Sequence, residues 1–144
     1  MLGHTVIYSP HADDNGLLDI AHGQRMILLT RDEELHRRVL ARNIPSVLVT
    51  GDKEEEKLAQ LAMALQMPLD IDMAETKCPE CGSDLRETPK EEVSSLVPAA
   101  SLELYEQFWM CRNPDCGKVY WMGSHWKQIK QTLAAAKELA ERRA

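Results

Sequence analysis

The four cysteines of this chain constrain its fold more than any other feature of the sequence. All four lie within 39 residues, in the pairs CPEC (78–81) and CRNPDC (111–116), with 29 residues between the pairs. Two such pairs can bring four thiolates together in a tetrahedron, and Gly82 and Gly117 let the backbone turn tightly after each pair. The spacing predicts a structural zinc site. Its ligands are Cys78, Cys81, Cys111 and Cys116.

Two other interpretations use the same four cysteines. Paired disulfides require an oxidising compartment, and an iron–sulfur cluster also takes four thiolate ligands. We expect zinc, because two close cysteine pairs are typical of zinc ribbons. Four thiolates leave no open coordination position, so this metal should hold a small ribbon together and should not activate water.

The length and composition of the chain predict two parts. With 144 residues and 44% hydrophobic residues, it can bury one modest core together with a smaller unit. Aromatic residues concentrate between Tyr105 and Trp126, so the first hundred residues must build their core from aliphatic side chains. We therefore divide the chain into residues 1–70 and residues 71–144.

Charge and hydropathy exclude several classes of protein. Residues 1–76 hold 7 basic and 13 acidic residues, and residues 77–144 hold 10 of each. Neither part has the basic excess of a protein that binds nucleic acid mainly through phosphates, so any such contact must be local or metal-assisted. No run approaches the roughly 18 apolar residues of a membrane span, and no secretory signal pattern is present. We expect a cytoplasmic protein that does not contact membranes.

Short apolar runs alternate with amphipathic segments through the first seventy residues. The pattern predicts strands at 4–9, 25–30 and 44–50, and helices at 13–23, 32–43 and 52–67. Short apolar strands separated by amphipathic helices are typical of a parallel α/β sheet. The alternation stops after Met67.

The second part contains two predicted helices. Thr88, Pro89 and Glu91 have the spacing of a capping box, which predicts a short helix there. A longer helix begins at Ser124. Its apolar stripe consists of Trp126, Ile129, Leu133, Ala136 and Ala140.

Two tryptophans near the second cysteine pair allow two interpretations. Trp121 and Trp126 are expected to be core residues that seat the ribbon and the last helix. The alternative is an exposed surface on which single-stranded bases stack, because Lys118, Lys127 and Lys130 are close in sequence.

Two aspartates lie where open α/β sheets collect ligands. Asp32 follows a predicted strand, and Asp14 begins a predicted helix. Carboxylates gathered at such an edge bind Mg²⁺ or Mn²⁺. Each aspartate is also well placed as a helix N-cap, and both interpretations stay open.

Three stretches of the sequence resemble one family. They are LGHTVIYSPHADDNGLLDIAHGQRMILLTRDEEL (2–35), KCPECGSDL (77–85) and FWMCRNPDCGKVYWMGSHW (108–126). The chain resembles the Mut7-C RNase domain family from about Leu2 to about Ile129, most specifically in LLTRD and CGKVYWMGSHW. The resemblance implies an α/β fold: a PIN-like parallel sheet flanked by helices, then a four-cysteine zinc ribbon and a C-terminal helix.

The same resemblance implies a ribonuclease. Acidic residues at one sheet edge would hold Mg²⁺ or Mn²⁺, and a metal-activated water would attack an RNA phosphodiester. Asp14 matches the Asp of the family's D-x-x-L-L-x-x-A segment, and Asp32 matches the Asp of T-R-D. Arg31 is placed to steady a phosphate, with a surface salt bridge as the alternative. His125 is a candidate contact to substrate or a structural histidine, and Asp52 is a further candidate acidic ligand.

The N-terminus departs from the family pattern. Family members begin with a strand that carries an acidic residue, and this chain starts where that segment ends. We therefore expect an open sheet edge that accepts a strand from a second copy or from a partner. Two alternatives to the nuclease remain: a catalytically inactive zinc ribbon that binds RNA, and a protein-interaction module.

Overall fold

The architecture is mixed α/β, as the sequence predicts. The computed structural model of the chain describes residues 2–143. A parallel pair of strands comes first, a three-stranded antiparallel ribbon second and a long helix last. The elements in chain order are α1 (Asp14–Gly23), β1 (Leu28–Thr30), α2 (Glu33–Ala41), β2 (Ser46–Leu48), α3 (Glu54–Leu65), β3 (Leu85–Thr88), α4 (Lys90–Val93), α5 (Ala99–Leu104), β4 (Phe108–Cys111), β5 (Val119–Tyr120) and α6 (Ser124–Arg143).

The chain divides into two compact units. The α/β unit consists of Ile7–Pro68 and Ala135–Ala144, and the ribbon unit consists of Met1–Val6 and Leu69–Ala134. The division at residue 70 remains a prediction about domain organisation. Within the described part of the chain, no helix is both long enough and apolar enough to cross a membrane.

The α/β unit is built on two parallel strands joined by a helix. β1 pairs with β2 in the register Leu28↔Ser46 to Thr30↔Leu48, and α2 forms the crossover between them. Apolar side chains from α1 and α2 meet beneath these strands, because positions three or four apart share one helix face. The buried residues of this core are Leu18, Ala21, Leu35, Val39 and Ile44.

The outer edge of β2 is covered by a side chain. Gln60 of α3 donates from Nε2 to the carbonyl of Leu48 at 2.5 Å, and its Oε1 accepts from the backbone N–H of Thr50 at 2.9 Å. No strand pairs with the outer edge of β1 among the described residues. The side chain of Leu29, in the middle of β1, is 46% exposed.

The strand predicted at 4–9 does not form. Within this segment Val6 is 76% exposed and Tyr8 is 85% exposed, and neither belongs to a strand. The β-branched and aromatic pattern favours a strand only where a neighbouring strand and an apolar face are available. The pattern reflects a local preference, and residues 4–9 pair with no strand among the described residues.

The ribbon unit alternates its side chains between two small cores. β3 pairs with β4 from Leu85↔Cys111 to Thr88↔Phe108, and β4 pairs with β5 at Trp109↔Tyr120. Since successive residues of a strand point to opposite faces, Phe108 packs with Val93 and Val97, and Trp109 packs on the cysteine side. The ribbon sheet thus has an apolar core on one face and buried cysteines on the other.

The helices of the second part match the prediction unequally. The predicted capping box is wrong, because Thr88 ends β3 and its hydroxyl donates to the carbonyl of Arg86 at 3.1 Å. The short helix α4 starts one residue later, with Pro89 at its N-cap. α6 begins at Ser124 as predicted, and Trp126 and Ala136 of its apolar stripe are buried.

Candidate metal centre and acidic edge

The four cysteines converge in the ribbon unit. Their four Sγ atoms all lie within 4.8 Å of one another. Cys78 Sγ is 3.9 Å from Cys116 Sγ, and Cys81 Sγ is 3.3 Å from Cys111 Sγ. Tetrahedral zinc with Zn–S bonds of about 2.3 Å separates its sulfur ligands by about 3.8 Å. The donor set and its spacing therefore fit a metal such as zinc, as the sequence predicts.

Tight turns after each cysteine pair place the ligands. Gly82 and Gly117 have φ values of +79° and +59°, a region that side chains with a Cβ rarely adopt. The N–H of Gly82 donates to the carbonyl of Cys78 at 2.8 Å, and the N–H of Gly117 donates to that of Asn113 at 2.9 Å. Asn113 also closes the wider second loop, since its Oδ1 accepts from the N–H of Asp115 at 3.0 Å. The extra residues of the second pair are thus taken up by an ordered turn.

An ion pair links the two cysteine loops. Lys118 Nζ lies 2.8 Å from Glu80 Oε1, and each residue is adjacent or next-but-one to a cysteine. This hydrogen bond raises the pKa of Lys118 and lowers the pKa of Glu80. Both side chains are more than half exposed, so the pair adds little to stability.

Tyr120 is a contact of the metal site that the sequence analysis missed. Its hydroxyl lies 3.1 Å from Cys78 Sγ and can donate to a thiolate there. Burial, and then the contact with Cys78, raise the pKa of Tyr120. The sequence carried a signal for this contact. Trp109 comes shortly before a cysteine and Tyr120 shortly after one, and in each strand these residues alternate with residues of the opposite face. Groups that hydrogen-bond to metal ligands orient them.

The thiols differ in how readily they ionise. Burial opposes ionisation of Cys78, but hydrogen bonds from Tyr120 and from backbone N–H groups outweigh it and lower its pKa. Hydrogen bonds from Ser83 lower the pKa of Cys81 to about 6. Burial raises the pKa of Cys111 to about 12. Because the ligands of zinc are thiolates, loading the site must release the protons that the less acidic thiols carry.

Asp32 is the N-cap of α2. Its Oδ1 accepts from the backbone N–H groups of Glu34 at 2.9 Å and Leu35 at 3.0 Å. Its second oxygen, Oδ2, has no hydrogen-bond partner among the residues that the structure describes. One oxygen of this carboxylate therefore holds the helix, and the other is available to a ligand.

Asp14 lies in the first turn of α1, one residue inside the helix. The N-cap is Asp13, whose Oδ1 accepts from the N–H of Gly16 at 2.8 Å, so the expected capping role of Asp14 is wrong. Asp14 Oδ2 lies 3.3 Å from Arg38, which also donates to Asn15 at 2.9 Å. Asp14 is thus half-exposed and paired with a cation.

Polar groups meet at the carboxyl ends of β1 and β2. Arg31 follows β1, and it donates to the carbonyl of Gly51 at 2.6 Å and to Asp52 Oδ1 at 3.3 Å, both of which follow β2. A Cβ at Gly51 would lie 2.8 Å from Glu56 Cβ and 2.9 Å from the backbone N of Lys57, so only glycine fits this turn. Arg31 thereby forms the surface salt bridge that was the alternative to a phosphate contact.

The structure brings some of the predicted site residues together. Over residues 2–143, the four cysteines are the one group of three or more His, Cys, Asp or Glu residues whose ligand atoms converge. Asp14, Arg31 and Asp32 belong to the α/β unit. His125 belongs to the ribbon unit, where it is exposed and lines a cavity.

The chain was compared with protein families, curated proteins and solved structures. No curated protein and no solved structure matches the chain significantly. Residues 1–133 match the family described as the Mut7-C RNAse domain, which covers nearly the whole chain. This chain therefore belongs to the Mut7-C RNase domain family.

Proposed function

We propose that the protein is a metal-dependent ribonuclease that hydrolyses RNA phosphodiesters at the carboxyl edge of β1 and β2. The observation that carries this proposal is membership of an RNase domain family over residues 1–133. Asp32 supports it, because this carboxylate lies two residues after the parallel strand β1, at the edge where open α/β sheets bind ligands. Asp52, after the neighbouring strand, adds a second carboxylate to the same edge.

Two of the carboxylates present suit a hard divalent cation. Asp32 offers Oδ2, and Asp14 offers a carboxylate once it leaves Arg38. Mg²⁺ binds through one or two carboxylates together with substrate phosphates and keeps several waters. Bound Mg²⁺ or Mn²⁺ supplies an activated water and neutralises charge on the phosphate. Asp14 and Asp32 are the proposed ligands.

Arg31 is the proposed phosphate contact. Its ion pair with Asp52 is weakly held, because the two side chains are 55% and 92% exposed. A phosphate can take the place of Asp52, since guanidinium binds phosphate in bidentate fashion. The hydrogen bond to the Gly51 carbonyl keeps Arg31 at the edge during that exchange.

The test is cleavage of single-stranded RNA in Mn²⁺ by the zinc-loaded chain, in wild type and Asp32→Asn. Asparagine is as good an N-cap as aspartate, so this substitution removes a metal ligand while α2 keeps its cap. Asp19→Asn is the matched control, since it removes the same charge from an exposed position on α1. We expect Asp32→Asn to lose at least tenfold in cleavage rate and the control to lose none. Equal cleavage by Asp32→Asn and wild type would overturn the proposal.

RNA binding without turnover is the second candidate function. An aromatic cavity in the ribbon unit favours it. In that case wild type and Asp32→Asn bind RNA equally, and neither cuts it.

The open edge of β1 supports a further proposal about partners. A strand from a second copy, or from a partner, can add there, because the outer edge of β2 is already covered by Gln60. Sedimentation should then detect a dimer that Leu29→Pro, which removes a backbone donor from that edge, dissociates. A monomer at all concentrations would exclude association through a second copy.

We further propose that the protein acts in the cytoplasm.

A further inference from the structure

A cavity of about 280 Å³ lies on the cysteine side of the ribbon unit. Four aromatic residues line it, together with aliphatic and polar side chains. We propose that this cavity holds one unstacked base of single-stranded RNA. The aromatic residues are Trp109, Tyr120, Trp121 and Trp126. The proposal takes RNA as the ligand from the proposed function, and it does not depend on cleavage.

The walls are suited to a flat ring. Trp109 and Tyr120 are directly opposed on β4 and β5, so their side chains lie side by side on one face of the sheet. Trp126 comes from α6, and Trp121 packs against Phe108 with ring centroids 6.1 Å apart. Stacking on such rings is tolerant of sequence, because every base presents a π-face. The volume lies at the lower end of small-molecule sites, which suits a single base.

Trp126 points to a ligand with hydrogen-bond acceptors. Its side chain is 8% exposed, and its Nε1–H is buried with no hydrogen-bond partner in the described part of the chain. A buried donor without a partner is costly, and native structures rarely leave one. The carbonyl oxygens and ring nitrogens of bases are acceptors, whereas an aliphatic side chain or an acyl chain has none. A base that brings an acceptor to this N–H would satisfy it, whereas a purely apolar occupant would not.

Two lysines follow cavity-lining residues in the sequence of α6, Lys127 after Trp126 and Lys130 after Ile129. Lys127 and Lys130 of α6 are exposed, and neither forms an ion pair with a described residue. His125 lines the cavity and is also exposed. Glu80, the acidic residue of the lining, is neutralised by Lys118. The formal charges of the lining cancel, and the two exposed lysines of α6 are available to the phosphates of a bound nucleotide.

The metal centre and the cavity share a residue. Tyr120 lines the cavity with its ring and contacts Cys78 Sγ with its hydroxyl at 3.1 Å. A thiolate at Cys78 accepts this hydrogen bond and fixes the ring in the wall. Tyr120 is thus a positioning residue that connects the cysteine cluster to the wall of the cavity.

The experiment separates base binding from cleavage. The zinc-loaded full chain carrying Asp32→Asn is titrated with a short single-stranded oligouridylate and with an abasic oligomer of the same length and charge. All three tryptophans line the cavity, so their fluorescence reports its occupation. We expect the oligouridylate to quench fluorescence and to bind at least tenfold more tightly than the abasic oligomer. Equal affinity for the two would overturn the proposal, since phosphates alone would then account for binding.

Two variants test the individual contacts. Trp126→Phe keeps an aromatic ring and removes the N–H, so it should weaken oligouridylate binding several-fold and leave the abasic oligomer unaffected. Leu104→Ala is the control, because Leu104 lies in the ribbon unit outside the cavity and is 74% exposed. Unchanged binding by Trp126→Phe, or equal losses in both variants, would refute the assignment. Zinc content and circular dichroism establish that each variant is folded.

The outcomes also distinguish this inference from the proposed nuclease. Base-dependent binding without cleavage by wild type supports the cavity and removes the nuclease. Cleavage that Asp32→Asn abolishes, with binding that ignores bases, supports the nuclease and removes the cavity site. Tight binding of an aromatic amino-acid amide, with no preference for oligouridylate over the abasic oligomer, would assign the cavity to a peptide.

Discussion

Replacing Asp32 by alanine and by asparagine separates its structural role from its proposed metal role. Alanine removes both hydrogen bonds to the N–H groups of Glu34 and Leu35, and loss of such an N-cap costs about 1 kcal/mol. Asparagine keeps an acceptor oxygen and removes only the charge at the helix N-terminus, which is worth about 0.3–1 kcal/mol and least at exposed sites. Without divalent cations, we expect Asp32→Ala to destabilise the protein more than Asp32→Asn.

The assay is urea unfolding followed by far-ultraviolet circular dichroism, to which α1, α2 and α3 contribute. For a unit of about 60–100 residues, 1 kcal/mol corresponds to about 4–8 °C in Tm, so thermal unfolding resolves the difference as well. Asp19→Ala is the control: it changes an exposed helix position that caps nothing, and it should cost no stability.

Adding Mn²⁺ should widen the difference in stability between wild type and the two Asp32 variants. At about one hundred times its Kd, a ligand that binds only the folded state adds about 2.7 kcal/mol. Wild type and the Asp19 control should gain this stabilisation, and both Asp32 variants should lose most of it. Equal destabilisation by alanine and asparagine without metal would refute the N-cap reasoning. A full Mn²⁺ gain in Asp32→Asn would refute the ligand role.

Three further predictions concern the metal centre, a turn and the core. Zinc affinity, measured by competition with a chelator, should fall by about two to three powers of ten per pH unit between pH 8 and 6, because protonated thiols such as Cys111 must lose their protons. Below about pH 6 the slope should steepen as Cys81 also becomes protonated. Gly51→Ala should cost about 1–3 kcal/mol in urea unfolding, because its Cβ would meet α3 at 2.8 Å, whereas Gly23→Ala has open space and should be tolerated. Phe108→Ala should cost about 3–5 kcal/mol in unfolding followed by tryptophan fluorescence, because Phe108 is fully buried.

Local patterns in the sequence predicted the structural features that depend on residues close together in the chain. The three helices of the α/β unit follow from apolar residues three or four apart, and the cysteine site follows from two close pairs. Helix starts were less certain, because adjacent aspartates compete for the N-cap and the structure selects Asp13 over Asp14. At Thr88 strand pairing overrides the capping pattern, because this residue pairs with Phe108 in the ribbon sheet.

Features that depend on residues distant in the chain could not be predicted from the sequence. The segment 4–9 has strand composition, but composition does not specify a strand partner, and in the described structure this segment pairs with none. The cavity depends on the register that opposes Trp109 and Tyr120 and on the placement of α6. The pairing of Arg31 with Gly51, 20 residues further along the chain, is likewise set by the parallel register of β1 and β2.

The unequal acidity of the cysteines determines how the protein must be handled. In the metal-free chain Cys81 is exposed, its pKa is about 6, and its sulfur lies 3.3 Å from that of Cys111. An exposed thiolate beside a second thiol is the form that air and peroxide oxidise fastest. Chelation without a reductant therefore exposes the protein to oxidation at the same thiols that would hold the metal. Activity lost on chelation can be assigned to the metal only if zinc restores it under reducing conditions.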